Sequence, residues 1–280
     1  MKPVGRFSKV LGWAVALTVA LCVTTAEAKQ NKAVVRAVRG DAQVQSEKGG
    51  AWKPAKVGMT LNPSSSVRTA AEGTVDLFLG DNGPVVRVTS DTTLGLDRLD
   101  VENTGVEKVI ETQLDLKNGR ILGNVKKLAA ASKYEVKTPR GVAGIRGTEY
   151  DISANGTVTV ISGNVTVVYV NLTTGETVTA NVGAGQTVSP PTGNTATVES
   201  VDTTTLNTLR GEVTTIVIGL RTNPDGTITD TLTGYQTTPD GGISGGGQTT
   251  GDTTGGPVFQ PQTPNDDAID NGSASPIHND

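Results

Sequence analysis

The sequence predicts an all-β fold: one domain over residues 33–189, built as a twisted β-sandwich or short β-roll of many short strands. One amphipathic helix and a disordered tail are expected to follow it. Three observations lead there. Apolar residues recur with period two, as in Val75, Leu77 and Leu79, then Val86 and Val88, then Val158 and Val160, then Val165 and Val167. That alternation marks half-buried strands. Glycine and Asn-Gly punctuation breaks the runs, notably at Asp81-Asn82-Gly83 and Asn155-Gly156, dipeptides that accept positive backbone dihedrals. Aromatics are only 3% of the chain, so the core must come from Val, Ile, Leu and Ala, which suits closely stacked sheets.

The chain opens with a basic stretch at Lys2, Arg6 and Lys9. An apolar run from Val10 to Val23 follows, then Ala26-Glu27-Ala28. This is the pattern of a secretory signal peptide over residues 1–28, with cleavage expected after Ala28. The apolar run is short for a membrane span, which needs roughly 20 residues, so no stable span is expected after cleavage. The single cysteine, Cys22, lies in this segment and follows Leu21, where a lipoprotein would carry a small residue. Cleavage leaves no thiol for a disulfide, a nucleophile or a metal.

Residues 33–189 carry the strands. Val34, Arg36 and Val38 alternate with Val35, Ala37 and Arg39. A turn glycine precedes an alternating strand at Gly40, Gly119 and Gly163. Their irregular spacing reads as repeated hairpins, not a strict solenoid. About 155 residues suffice for one core. Leu206, Leu209, Val213, Ile216, Val217 and Leu220 then recur at three- and four-residue intervals, predicting an amphipathic helix over 201–220. Asp202 or a following Thr is its expected N-cap. From 222 to 280 the composition is Gly, Thr, Asp, Pro, Ser and Asn, too polar to offset ordering entropy, so an acidic disordered tail is expected.

Composition narrows the function. His278 is the only histidine, which disfavours a structural zinc site or a Ser-His-Asp triad. The net charge is -4, and the eight Asp residues after Arg221 face no Lys or Arg there. Nothing forms a basic stripe for nucleic acid. No cofactor or metal is expected; an Asp-x-Asp-x-Asp-Gly calcium loop is absent from the sequence.

The motif that stands out runs from Tyr134 to Ile152: a strand ending at Thr138-Pro139, a glycine-rich turn with Gly141, Gly144 and Gly147, and a second strand through Arg146-Gly147-Thr148-Glu149-Tyr150. With Trp52, Val57 to Leu61, Val67 to Thr69, Asp81 to Gly83, Thr93 to Leu96 and Gly183 to Val188 in order, this stretch resembles the FecR domain family. The resemblance runs from about Ala33 to Ser189 and departs at Asn62 to Ser66, where that family usually has a Gly-Asp turn. It implies an exported all-β domain with a role in sensing or scaffolding. Better-known members are inner-membrane anti-sigma regulators with a cytoplasmic N-terminal domain and a membrane helix. Here the similar part follows the signal peptide directly, and no cytosolic arm is expected.

Proline ends or edges a strand, because it lacks the ladder donor. Thr138, Pro139, Gly141, Gly144 and Gly147 are therefore read first as turn-shaping residues. Lys137, Arg140 and Arg146 would form a basic patch, with Glu149 beside it, for an anionic glycan or a partner carboxylate; solvated edge charges are the plainer alternative. Attack of the Thr148 hydroxyl on the Gly147 carbonyl would exchange the Gly147–Thr148 amide for an ester, which water then hydrolyses to cut the chain, as the resemblance also suggests for some regulators. Glu149 and Asp151 share one strand face, a poor match to paired glycosidase carboxylates. Trp52 is expected to plug the core or a hairpin.

The expected function is a non-enzymatic envelope module for binding, scaffolding or signalling, exported to the periplasm or cell envelope of a Gram-negative-type bacterium, or to its surface or medium. Its partner would be an envelope protein or a cell-wall polysaccharide, met through strand edges or the Thr138 to Thr148 turn. The alternative is a self-processing periplasmic regulator cut between Gly147 and Thr148.

Overall fold

Short alternating segments fold here as two stacked sheets. The structure, a computed structural model, describes residues 29–245 apart from Leu172 and Gly226. The signal peptide and the far end of the expected tail lie outside the described residues. The first strands are β1 (Lys29–Gln30), β2 (Ala33–Arg39), β3 (Ala42–Gln45), β4 (Lys53–Pro54), β5 (Thr60–Leu61), β6 (Ser66–Thr69), β7 (Thr74–Phe78) and β8 (Val85–Val88). The middle of the chain gives β9 (Thr93–Asn103), β10 (Lys108–Asn118), β11 (Arg120–Asn124), β12 (Lys133–Thr138), β13 (Gly141–Ile145), β14 (Glu149–Ser153) and β15 (Val158–Ser162). Then come β16 (Asn164–Val170), β17 (Thr177–Gly183), β18 (Gln186–Val188), β19 (Val198–Ser200) and the helix α1 (Thr203–Val217). The last described strands are β20 (Leu220–Thr222), β21 (Ile228–Asp230), β22 (Tyr235–Thr237) and β23 (Ile243–Gly245).

The first sheet runs β17-β16-β13-β12-β10-β9-β6-β3-β4, with β1 paired to β9; the second runs β19-β18-β15-β14-β11-β8-β7-β2-β5. From β7 on, the chain lays a pair of strands in one sheet, crosses, and lays a pair in the other, with one exception. Strand β11 crosses alone, so β12 returns beside β10 as a parallel neighbour, a pairing that requires a crossover. The three glycines read as hairpin turns are in fact corners between the sheets: Gly40 between β2 and β3, Gly119 between β10 and β11, Gly163 between β15 and β16. A single-residue corner demands close approach. At Gly163 φ is 89° and a Cβ would lie 2.4 Å from the Gly147 carbonyl oxygen.

Between the sheets lies an aliphatic core, with Leu77, Val86, Leu94, Leu114, Val136 and Val160 fully buried. Two aromatics join it. The Tyr134 and Tyr150 hydroxyls hydrogen-bond each other at 3.0 Å, and burial raises both phenol pKa values. Asn82, buried in the turn after β7, donates to the Asp100 carbonyl and to Thr112 and accepts from Asn31, which ties the N-terminal segment to the sandwich.

The alternation expected along β2 fails at one residue. Its pairing with β7 skips between Val35 and Ala37, leaving Arg36 as the extra residue of a bulge. Ala33 and Val35 enter the core, Val38 packs against it, and Val34 and Arg36 point the other way. Arg36 thus keeps the side that alternation gives it, and the bulge turns Val38 in place of Ala37 toward the core.

What Arg36 meets is the C-terminal part of the chain. Asp202 caps α1, accepting from the Thr205 N–H at 2.9 Å. Leu209, Val213 and Ile216 press onto Val85, Leu122 and Ile161 of the second sheet. Ile161 follows Val160 of the inner core and so faces that side, at the register skip of the β14–β15 pair. The helical threonines Thr208 and Thr214 satisfy their hydroxyls on carbonyls four residues back. The helix is shorter than the expected 201–220, because Gly219 (φ 84°) turns the chain and Leu220 enters β20.

The expectation of disorder from residue 222 is corrected over the described part: β20, β21, β22 and β23 form a four-stranded antiparallel sheet. It is a repeat. Asn223-Pro224-Asp225-Gly226-Thr227-Ile228-Thr229 returns as Thr238-Pro239-Asp240-Gly241-Gly242-Ile243-Ser244. Both copies close the same turn, Asn223 N–H to Thr227 O and Thr238 N–H to Gly242 O, each at 2.8 Å. Both isoleucines seat on Val34 and Phe78. Composition alone suggested an unfoldable segment, but two hairpins that share one apolar patch bury enough to order.

Arg36 joins all three parts. Its Nε donates to Asp230 Oδ1 at 3.0 Å, with both side chains almost wholly buried. Its terminal nitrogens donate to the Ile216 and Ile218 carbonyls at the end of α1. The other Asp230 lone pairs take the Leu232 N–H and the Thr233 hydroxyl. Because α1 has no basic residue in its last turn, Arg36 supplies the cation that a helix C-terminus favours. Removing one partner of a buried pair strands the other charge. Arg36→Ala should therefore lower stability by about 3–5 kcal/mol, read as a drop in the urea midpoint. A loss below about 1 kcal/mol would show the pair to be dispensable.

Candidate functional site

The stretch read as strand, glycine-rich turn, strand contains an additional strand. Thr138 to Gly141 is the hairpin turn, β13 occupies Gly141 to Ile145, and a second turn at Arg146-Gly147 leads to β14. Thr138 shapes the first turn: its hydroxyl donates to Gly141 O and accepts from Arg140 N–H, both at 3.2 Å. At Gly141 a Cβ would lie 2.2 Å from the Val168 carbonyl oxygen, so the close β13–β16 approach needs glycine. Gly144 is different: it sits inside β13, where a Cβ would meet only Thr166 O at 3.6 Å. Small residues made β13 look like a loop, but Ala143 and Ile145 are buried while Val142 and Gly144 face out.

The basic patch does not assemble. Arg140 and Arg146 flank opposite ends of β13, which separates their backbones by about 20 Å at the rise of a strand. Lys137 lies on the outer face of the first sheet and pairs with Asp97 at 3.3 Å. Arg140 lies against Gly156 and Pro190. Arg146 is exposed between the sheets' strands. Glu149 belongs to the second sheet, where Asn124 and Ser162 donate to it at 3.2 and 3.0 Å. The four residues thus occupy different faces and ends of the sandwich.

Asp151 shares the face of Glu149, as the alternation required, but its partners are structural. Arg120 donates to Asp151 at 2.8 Å and to Glu212 of α1 at 3.1 Å. Burial raises the Asp151 carboxyl pKa against the opposing pull of Arg120. Burial also works against the Arg120 guanidinium, yet Asp151 and Glu212 outweigh it and raise its pKa. This cluster fastens the helix. Of the two places expected for Trp52, the β3–β4 hairpin holds it. It is a half-buried residue at the β3–β4 edge, not in the core, and the Arg68 guanidinium covers its ring at 4.3 Å.

Thr148 is buried. Its hydroxyl donates to Asn164 O at 2.8 Å and accepts from Asn164 N–H at 3.3 Å, and its own carbonyl accepts from Val125 N–H. This side chain locks the corner between β13 and β14 to the start of β16. None of its hydrogen-bond partners is an ionisable side chain.

The two outer faces differ in kind. α1 covers β8, β11 and β15 of the second sheet, and the hairpin repeat covers Val34 and Phe78. Among the described residues no α-helix packs on the first sheet. Its outer face is a charged band on β9, β10 and β12, with pairs such as Arg98–Glu111 at 2.5 Å and Gln113–Glu135 at 3.2 Å. Beside it lies an uncharged band of Val142, Gly144, Thr166, Val168, Thr179 and Asn181. The sequence motif did not point to this face; the absence of charge from β13, β16 and β17 was the available signal. No described group of His, Cys, Asp and Glu is arranged to hold a metal, and no described helix is long and apolar enough to cross a membrane.

Residues 65–166 match the model of the FecR protein family, a little over a third of the 280 residues. The matched stretch runs from β6 into β16 and so contains the Thr138–Pro139 hairpin and the Thr148 corner, but not α1 or the hairpin repeat. Two crystal structures described as a candidate anti-sigma factor from Parabacteroides distasonis align at 14% and 12% identity, both with a TM-score of 0.37. Each alignment covers 51% of this chain and 62% of the other. No curated protein matches.

A Thr148→Val chain leaves the Asn164 carbonyl and amide without that partner at constant volume. It should lose about 1–3 kcal/mol of stability, measured by urea unfolding, whereas Thr148→Ser should keep most of it.

Proposed function

We propose that this chain is a non-enzymatic, exported FecR-like signalling or scaffold module that docks a protein partner on the bare outer face of its first sheet. The observation that carries this reading is the asymmetry of the sandwich. One outer face is sealed by the chain's own helix and hairpin repeat, and the other is left to solvent. The FecR match over residues 65–166 supports a regulatory role, and the signal-peptide pattern of residues 1–28 supports an envelope location.

A protein suits the face better than a polysaccharide. Sugar-binding sheets present aromatic platforms, whereas Tyr134 and Tyr169 point inward and the Trp52 ring is covered by Arg68. The charged band would steer an approaching partner, and Lys137 is the member of the expected basic set that lies on it. Arg140, Arg146 and Glu149 would act at its margins or not at all.

The self-processing alternative, a cut between Gly147 and Thr148, needs a base to take the Thr148 proton. That proton is committed to the Asn164 carbonyl, which favours the unprocessed module.

Photo-cross-linking side chains placed at Gln113 and Val142 on the bare face, and at Thr208 on the exposed side of α1, separate the outcomes. In the native envelope the first two positions should capture a discrete protein band and Thr208 should not. Capture at Thr208 alone, or of glycan alone at Gln113, would contradict the reading. The same gels show whether the chain is intact across Gly147 and Thr148.

A further inference from the structure

The first sheet ends in an open strand whose sequence matches itself. β17 has seven residues, while the other sandwich edges β4, β5 and β19 have two or three. Long exposed edges are normally blunted by charge, proline or a bulge. β17 reads Thr177-Val178-Thr179-Ala180-Asn181-Val182-Gly183, without any of these, and pairs with β16 in unbroken register.

The direction of its backbone groups follows from the ladder. Asn171 N–H donates to Glu176 O at 2.8 Å, so hydrogen-bonded pairs with β16 fall on Val178, Ala180 and Val182. Thr177, Thr179, Asn181 and Gly183 therefore aim their N–H and C=O groups away from the sheet. Gly183 N–H confirms it by donating to Gln186 Oε1 at 2.8 Å. The outward groups of Thr177, Thr179 and Asn181 have no partner among the described residues.

We infer that β17 pairs antiparallel with β17 of a second copy about a twofold axis at Ala180, joining two first sheets into one. In that register Thr179 lies opposite the second copy's Asn181, and Val178 opposite its Val182. Each outward N–H of Thr179 and Asn181 then finds a C=O. Valines meet valines on the core side, and Thr meets Asn on the outer side. The Asn181 side-chain oxygen already accepts from Thr166 at 2.9 Å, which leaves its amide to donate to the facing Thr179 hydroxyl. A twofold contact requires such self-complementarity, and no charge opposes it. One strand pair buries less than the roughly 1,000 Å² of a stable interface, so the dimer belongs to the weak, concentration-dependent class. It extends the bare face whatever partner that face takes, and it stands or falls separately from the proposed function.

Sedimentation equilibrium of the full chain over a concentration series tests it. The wild type should dimerise with a Kd between about 1 μM and 1 mM. Thr179→Pro removes an outward N–H and leaves the β16 ladder alone. It should weaken association at least about tenfold with an unchanged circular dichroism spectrum and unchanged cross-linking at Gln113. As a second arm independent of proline, Thr179→Lys should weaken the dimer, and Thr179→Lys with Asn181→Asp should restore it by placing opposite charges across the axis. A wild type that stays monomeric at about 1 mM, or association indifferent to the substitutions in both arms, overturns the inference.

Discussion

The rest of the structure depends on where Arg36 points. A guanidinium buried beside a single carboxylate is costly to desolvate, and the pair is tolerable only when its remaining donors and acceptors are satisfied. Here they are: Asp230 takes Arg36, Leu232 N–H and the Thr233 hydroxyl, and Arg36 also holds the carbonyls that end α1. The alternation of β2 aims the side chain outward beside Val34, the helix end lies over it, and the hairpin repeat encloses both. Each element fixes the others, so the cover of the second sheet is part of the fold and not an appendage.

That cover gives the molecule two unlike sides. Apolar residues on the outside of the second sheet, Val34, Phe78, Val85, Leu122 and Ile161, are matched by Ile228, Ile243, Leu209, Val213 and Ile216. Lesser ties add to it, including Lys29 to Asp240 at 2.6 Å, Asn103 to the Pro239 carbonyl and Arg87 to Thr215. The first sheet's outer residues are polar or small apart from valines such as Val142 and Val168. Its composition changes from paired charges to threonine, valine and asparagine towards β17. A side chosen for solvent at one end and free of charge at the other is the surface on which recognition is best sought.

Much of this was legible in the sequence. Period two placed the strands, Asp202 and the Leu209–Val213–Ile216 spacing placed the helix, and the Tyr134–Tyr150 stretch carried the family resemblance. Other parts depended on distance along the chain. The role of Arg36 needs Asp230 and the end of α1, 194 and 180 residues further along, which no local pattern states. Gly40, Gly119 and Gly163 looked like hairpin turns because a corner and a hairpin make the same local demand on glycine; only the partner strands tell them apart. The basic patch failed for the same reason, since β13 lies between Arg140 and Arg146 and holds them at its two ends. The hairpin repeat was visible as Pro-Asp-Gly recurring after fifteen residues, with Leu220 and Ile228 echoed by Tyr235 and Ile243. Glycine and threonine content masked a periodicity that alone would have forecast strands.

Native-state hydrogen exchange tests the central claim most directly, because it reads the opening free energy of each part separately. If the Arg36–Asp230 pair welds helix, repeat and sandwich into one unit, the amides of Leu209 to Ile216 and of Ile228 to Asp230 should be protected to within about tenfold of those in β7 and β8. Exchange of the helix and the small sheet through a separate, much easier opening, with the sandwich still closed, would contradict it.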